Sequence, residues 1–472
     1  MAIYRPRCGI QLHVVFDGRG GPNKEFTIDH VRPRSCTVSR NGYHEADTWN
    51  ATFDLRVFPF DPEGIASMFA RIYMWDDRFG PGYEWAVDDN EMVRGIADED
   101  TIKIDKSQNE FRVSGRDYTA ILDPEWDPRK QVPAGIPLVE AVQQIADSAA
   151  PESSSARFEV VWDVKDDDGT PLPPTEFLSN GSARSTKKKG MWVKQGKTTW
   201  DVIYDLVIQN GFIVFVKGSQ IVITTPRTQT SSELLAAATL VHGRNLKSLE
   251  AGRKLAKERV PRIRIVYWDA GGRRQFDVVY PEKDQKLAIG LGLKKNEDLI
   301  LPAPTYCHDA ESALRFAKMR WELMARAETV YKFETRHLRA PRGDGSNFLA
   351  KKAASFLGID DGFDLLRMQA GDPIALRFDP FNGEAMRALD SGQREEFLLS
   401  LGYHPRVAAF VAENYERLTQ ITQAYYTRVI TYDYSHDQGL TISGEGVNFA
   451  YERREIQWSN GDIKADTISG AG

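Results

Sequence analysis

The stretch from Thr198 to Pro226, TTWDVIYDLVIQNGFIVFVKGSQIVITTP, constrains the fold more than any other. Thr198 can cap a helix, with Asp201 three positions later in its first turn. Trp200, Ile203, Tyr204 and Val207 then share one face. Asn210 and Gly211 stand where a left-handed helix end is expected. Phe212 to Val216 and Ile221 to Thr225 read as a hairpin across Lys217 to Gln220. Helix and hairpin each hide the apolar face of the other. Nothing in the stretch has the makings of a catalytic site, and it reads as a compact scaffold module.

The other segments extend that reading. At 472 residues the chain is too long for one core, so about two to four domains are expected. Residues 1 to about 125 read as short strands: Phe53, Leu55 and Val57 alternate with Asp54 and Arg56, and Thr101–Asp105 and Glu110–Val113 follow. A closed or nearly closed barrel suits such strands, because closure removes pairing edges. A short helix is expected at Pro62–Ala70, and Asp88, Asp89, Asp98 and Asp100 mark a polar loop. Ile136–Ala146 reads as a helix, Phe158–Val164 as a strand, and Pro151–Ala156 and Asp166–Pro174 as loops. Ile263, Ile265 and Tyr267 alternate with arginines, turn at Gly271 and Gly272, and return through Phe276–Tyr280. Ser248–Lys257 is a short basic segment, strand then helix. Asp309 to about Glu328 is the longest helix, with Leu314, Ala317, Trp321 and Met324 as its buried stripe. Val330–Arg339 and Asp364–Phe378 read as strands, Ala385–Leu401 and Pro405–Gln420 as helical, and Val429–Tyr434 with Leu440–Ser443 as a hairpin.

The chemistry is bland. Net charge is -6, which argues against coating nucleic acid. The basic loop SARSTKKKG, Ser182–Gly190, lacks the aromatic interleaving that stacks bases and reads as solvated or as an ion-pair partner. Cys8, Cys36 and Cys307 form neither a zinc pattern nor a disulfide framework, and reduced thiols are expected. The eight histidines make no HExxH, and His308-Asp309 beside Cys307 is better explained by a helix cap. Neither a dinucleotide nor a P-loop signature occurs, no GxSxG elbow occurs, and Gly18, Gly20 and Gly21 read as a hairpin tip. Asp123 with Glu125 is one of many carboxylate pairs among 67 acidic residues, too common a feature to mark a site. No catalytic, cofactor-binding or metal-ligating residue is therefore expected. Trp75, Trp85 and Trp126 lie near charged or glycine-rich loops, where they serve either as interface anchors or as core. The opening MAIYRPRCGIQLHVVF lacks the pattern of a signal peptide, and no run approaches the roughly 20 apolar residues of a membrane helix. A soluble protein that does not bind membranes by itself is expected.

Four phrases, in this order, resemble the baseplate hub proteins of phage tails and related injection machines, the tail hub or late control D-like family. They are FRVSGRDYTAILDPEW (Phe111–Trp126), TTWDVIYDLVIQNGFIVFVKGSQIVI, GRNLKSLEAGRKLAKERVPRIRIVYWD (Gly243–Asp269) and DGFDLLRMQAGDPIALRF (Asp361–Phe378), the last with Gly371-Asp372 at a turn. The resemblance implies a mixed β and α+β chain with two tube-like antiparallel β-barrel domains and intervening α+β domains. It divides the chain at 1–125 (first barrel), 126–240 (middle α+β domain), 241–385 (second barrel segment with helix) and 386–472 (helical insertion and strands completing the second barrel). It also implies a structural virion protein of the tail baseplate, assembled in the host cytoplasm. Its homotrimer would join a sixfold tail tube to a threefold central spike. The implied partners are the tube or tube-initiator protein, the spike, and wedge or tape measure proteins, with genome DNA passing through the channel without specific recognition. An acidic bore would keep that DNA from sticking. Met74–Asp100 and Ala385–Gln420 have no place in a minimal barrel of this kind. The alternatives are a tail-associated murein-cleaving enzyme and an array of carbohydrate-binding modules.

Overall fold

The structure is a computed structural model. It describes residues 5–18, 22–42, 45–58, 61–77, 86, 88–98, 101–127, 136–149, 157–165, 170–174, 196–224, 238–241, 245–253, 262–268, 274–280, 298–303, 309–325, 329–340, 363–370, 372–378, 386, 389–415 and 421–447. The loop Ser182–Gly190, the breaks at Pro151–Ala156 and Gly271–Gly272, Trp85, Cys307, His308 and Gly371 lie outside the described residues.

The N-terminal part contributes β1 (Pro6–Phe16), β2 (Lys24–Val31), β3 (Ser35–Asn41), β4 (Thr48–Asp54), β5 (Ile65–Asp76), β6 (Glu91–Ala97), β7 (Lys103–Asp105) and β8 (Glu110–Asp117). Alternation of buried and exposed residues explains them: along β3 Cys36, Val38 and Arg40 point inward and their neighbours outward. The helix expected at Pro62–Ala70 is not formed. Asp61 caps a single 3-10 turn at Pro62–Gly64, and Ile65 then enters β5. Met68, Ala70 and Ile72 bury one face of that strand at period two, which outweighs the helix signal of the proline. Met74–Asp100 is likewise no simple insertion, since β5 ends in it and β6 pairs with both β5 and β8.

The middle unit packs α1 (Leu138–Ala149) and α2 (Thr199–Gln209) on a three-stranded sheet of β9 (Glu159–Asp163), β10 (Ile213–Lys217) and β11 (Gln220–Thr224). Thr198 Oγ1 accepts from Asp201 N at 3.0 Å, and the Asp201 carboxylate accepts from Thr198 N at 3.1 Å. Gly211 ends α2 at φ 84°, and a Cβ there would strike the Arg315 side chain. β9 joins β11 in parallel, so the sheet has a third strand beside the hairpin.

The C-terminal part adds β12 (Ala238–Val241) and β13 (Ser248–Arg253). A second small sheet follows, of β14 (Ile263–Trp268), β15 (Gln275–Tyr280) and β16 (Leu299–Pro302), covered on one face by α3 (Ala310–Ala325). Ala317 and Trp321 are buried in that contact with Ala313, Phe316 and Met319, whereas Leu314 is half-buried. Then come β17 (Thr329–Thr335), β18 (Arg339–Ala340), β19 (Phe363–Asp364), β20 (Pro373–Phe378), α4 (Ser391–Ser400), α5 (Pro405–Glu413), β21 (Ile421–Ser435) and β22 (Gly439–Val447).

Two barrels do not form. Among the described residues the main sheet runs β13-β17-β22-β21-β3-β4-β8-β6-β5-β1-β2, and no sheet closes on itself. The reason is the β3–β21 pairing, in register from Asn41 opposite Val429 to Ser35 opposite Ser435. It joins β3, otherwise the free edge of the first half, to the part of β21 beyond its pairing with β20 at Ile421–Tyr426, giving one open sheet. The core follows the sheet: Ile10, Leu12, Val38, Phe53 and Phe111 belong to the same apolar cluster as Phe333, Leu376, Ile430, Tyr432 and Ile442.

Candidate functional site

The residues singled out by sequence do not converge on a reaction centre. Asp123 pairs with Arg116, while Glu125 accepts from Gly196 N at 3.0 Å, so the two carboxylates serve separate contacts. Asp309 accepts from Ser312 N at 2.7 Å, the cap expected of it. Cys8 and Cys36 are buried and not disulfide-bonded, and burial pushes the Cys8 thiol well up. Trp75 and Trp126 are buried. Among the described residues no group of three or more His, Cys, Asp or Glu could hold a metal ion, and no helix is long and apolar enough to cross a membrane.

A depression of about 870 Å³ is lined by Asp61, Pro62, Lys103, Ile104, Asp105, Lys106 and Arg112. Its charged groups are already engaged in part. Asp105 accepts from Ser107 and Gln108, and Arg112 pairs with Glu110 at 2.6 Å. Nearby, Arg34 bridges Asp54 at 3.0 Å and Glu110 at 3.4 Å, and Arg56 also holds Asp54. These arginines keep the Asp54 carboxyl well below its usual range, Arg56 contributing most. The result is a solvated lattice of paired charge on the sheet.

The seam between the halves is built differently. Arg40 of β3 is buried, and its guanidinium donates to four backbone carbonyls, Met92 O at 2.9 Å, Glu91 O at 3.2 Å, Leu366 O at 3.3 Å and Met368 O at 2.8 Å, with the Met92 sulfur at 3.9 Å. Its carbon lies 5.5 Å from the Tyr432 ring centre, and Tyr432 Oη donates to Leu365 O and Met368 O at 2.9 Å each. The fork shape of arginine suits this, because a lysine could not reach carbonyls on both sides. On the opposite face, Ser39 and Thr431 hydroxyls meet at 2.9 Å, and Thr37 Oγ1 donates to Asp433 at 3.0 Å.

Where β8 leaves the sheet, Asp117 accepts from Asp47 N, Thr119 N and Thr119 Oγ1, and Asp47 accepts from Asn41 N at 2.8 Å. Burial, then the charge of Asp117, pushes Asp47 up to about 7. Burial pushes Asp117 up to about 6, the Thr119 and Asp47 donors opposing the rise. The pair sits in the joint to the middle unit, between β8 and the 3-10 turn at Tyr118–Leu122.

Several large apolar side chains are exposed among the described residues. On the outer face of the β14–β16 sheet, Trp268 is 52% and Ile300 63% exposed, beside Arg264 bridging Asp277 and Asp298. On α4 and α5, Phe397, Leu399, Val407 and Phe410 are exposed, with Leu401 and Tyr403 in the turn between them. Of the tryptophans that the sequence leaves as either anchors or core, Trp75 and Trp126 are core, and the exposed apolar groups are ones not singled out from the sequence. The signal for Trp268 was present: it follows Tyr267 on the phase of Arg264, the solvated side of the alternation.

No family model matches the sequence, and no curated protein does. Among solved structures, the tail protein from Neisseria meningitidis MC58 matches with a TM-score of 0.52 at 11% identity, covering 96% of this chain and 99% of that one. The chain shares the fold of that tail protein. Looser likenesses extend to the 43 kDa tail protein of prophage MuSo2 from Shewanella oneidensis, with a TM-score of 0.46 at 14% identity over 93% of this chain and 97% of that one. They extend also to prophage tail protein gp18 from Listeria monocytogenes EGD-e, with a TM-score of 0.41 at 9% identity over 94% of this chain and 95% of that one.

Proposed function

We propose that this chain is a structural, non-enzymatic hub of a phage tail or related injection machine. Three copies would form a ring that joins the tail tube to the central spike and lines the delivery channel. The observation that carries the reading is the end-to-end likeness of fold to a tail protein, over 96% of this chain and 99% of the other. Paired surface charge, exposed apolar faces and an open sheet suit a part whose work is contact with neighbours. Obligate interfaces of that kind commonly bury roughly 2,000 Å² or more. On this reading the partners are tube or tube-initiator and spike proteins, with wedge or tape measure proteins at the periphery, and no residue serves catalysis, a cofactor or a metal. Units divided near residues 125, 240 and 385 would be the assembling parts. Imaging of the intact particle tests it, with three copies expected between tube and spike. Absence of the chain from the particle, or murein cleavage by the purified protein in zymography, would overturn it.

A further inference from the structure

The hairpin of α4 and α5 is packed inside out. Its own core, a cluster separate from the three larger ones, holds Met386, Leu398, Ala408, Ala412 and Tyr415. Small alanines therefore face the partner helix, while larger side chains face away: Val407 is 46% and Phe410 59% exposed. At 100° per residue, Val407 and Phe410 share the side of α5 opposite Ala408 and Ala412. A helix that must hide one face puts its bulk there, and among the described residues nothing covers this one.

The charges say what covers it. Arg406 and Glu413 are seven positions apart and lie on one flank of α5, and neither has an ion-pair partner among the described residues. Laid antiparallel on a copy of itself about a two-fold axis near Ala408 and Ala409, α5 sets Val407 against Phe410 of the copy, twice. The same placement brings Arg406 within reach of Glu413 of the copy, again twice, as an isologous contact requires. A lipid surface fits poorly. Glu395, Glu396 and Glu413 outnumber the arginines here, and Arg394 is engaged by Met386 O at 2.8 Å and the Tyr415 ring.

We infer that the outward face of α5, with Phe397, Leu401 and Tyr403 as further exposed apolar groups of the hairpin, is a two-fold docking surface for a second copy of this chain. Covering those side chains removes on the order of 500 Å² per copy, about 1,000 Å² in all, the low end of a specific interface. Association is thus weak and concentration-dependent. It is distinct from the proposed ring: were the chain trimeric, the contact would pair two trimers.

Sedimentation of the full chain between roughly 1 and 100 µM tests the inference, a range that reads weak association. Two-fold association is expected: monomer to dimer, or trimer to paired trimers. Phe410→Glu should abolish the doubling while leaving the thermal midpoint unchanged, because the position is exposed. Arg406→Glu and Glu413→Arg should each weaken it roughly five- to tenfold, and the double variant should restore it to within about threefold. No doubling at the highest concentration, doubling that survives Phe410→Glu, or a double variant no better than the singles would each overturn it. Binding to phosphatidylcholine–phosphatidylglycerol vesicles that Phe410→Glu abolishes would reassign the face to lipid. A trimer that persists in Phe410→Glu leaves the ring reading standing on its own.

Discussion

A buried guanidinium without a carboxylate is an unusual way to join two halves of a chain. Arg40 replaces its lost hydration with carbonyls from Glu91, Met92, Leu366 and Met368, which come from both halves. Arg40→Leu would keep the stem's packing and take the guanidinium donors from those carbonyls, of which Met368 O keeps Tyr432 Oη. Each unsatisfied buried group costs about 1–3 kcal/mol, so a loss of roughly 3 kcal/mol is expected in urea unfolding. Arg40→Lys should recover less than half, because an ammonium reaches one side only. Equal stability of both variants with the parent would show the seam to be held by strand pairing alone. The carboxylate pair gives a second residue-level expectation. Asp47 and Asp117 keep protons in the folded state up to about 7 and 6, whereas unfolded they release them near the ordinary aspartate value of 3.8. Between those limits the folded chain binds more protons, so this site's contribution to stability falls as pH rises from about 4 to 7. Asp47→Asn should flatten that fall in urea titrations at pH 5 and 8. His30, lowered by burial and by Arg32, contributes equally to both proteins and cancels in the comparison. An unchanged slope in the variant would mean that Asp47 ionises normally.

At the scale of elements, the segments legible in the sequence are those whose determinants are local. α2 and its hairpin were readable from Thr198 to Thr224 because cap, apolar face, glycine stop and turn all lie within a few residues of one another. Thr198→Ala should cost about 1 kcal/mol through loss of the capping box. Trp200→Ala should cost roughly 3–5 kcal/mol, since the ring is buried among α1, α2 and β10 residues. A thermal-shift series ranks the two, and a smaller effect for Trp200→Ala would mean that the site collapses around the gap. Misreadings came where a local cue competed with a distant one. Pro62 signals a helix start, and it does open a turn, but the partners that make Ile65–Asp76 a strand are β1 and β6. The exposed face of α5 was legible only as helix, because exposure is set by what α4 leaves uncovered.

For the whole molecule, the feature no period or motif could reveal is which strands meet. Alternation identifies β3 and β21 as strands, but Ser39 and Thr431 are 392 positions apart, and nothing local names a partner at that distance. Two closed barrels and one open sheet predict the same alternation and differ only in that pairing. They differ in how the chain comes apart. Independent barrels would unfold in separate steps, and residues 1–125 alone would stay folded and monomeric. In the observed sheet, β3 has β4 on one side and β21 on the other, so removal of the second half opens a seven-residue strand edge. It also uncovers the face of Arg40 that Leu366 and Met368 satisfy. The fragment 1–125 is therefore expected to self-associate or remain partly unfolded. In the full chain, amides of β3 and β21 should fall in the slowest hydrogen-exchange class together and be released in one transition. A monomeric fragment with native-like exchange in β3, or two separated transitions in the full chain, would show the seam to be a contact between units that each fold without the other.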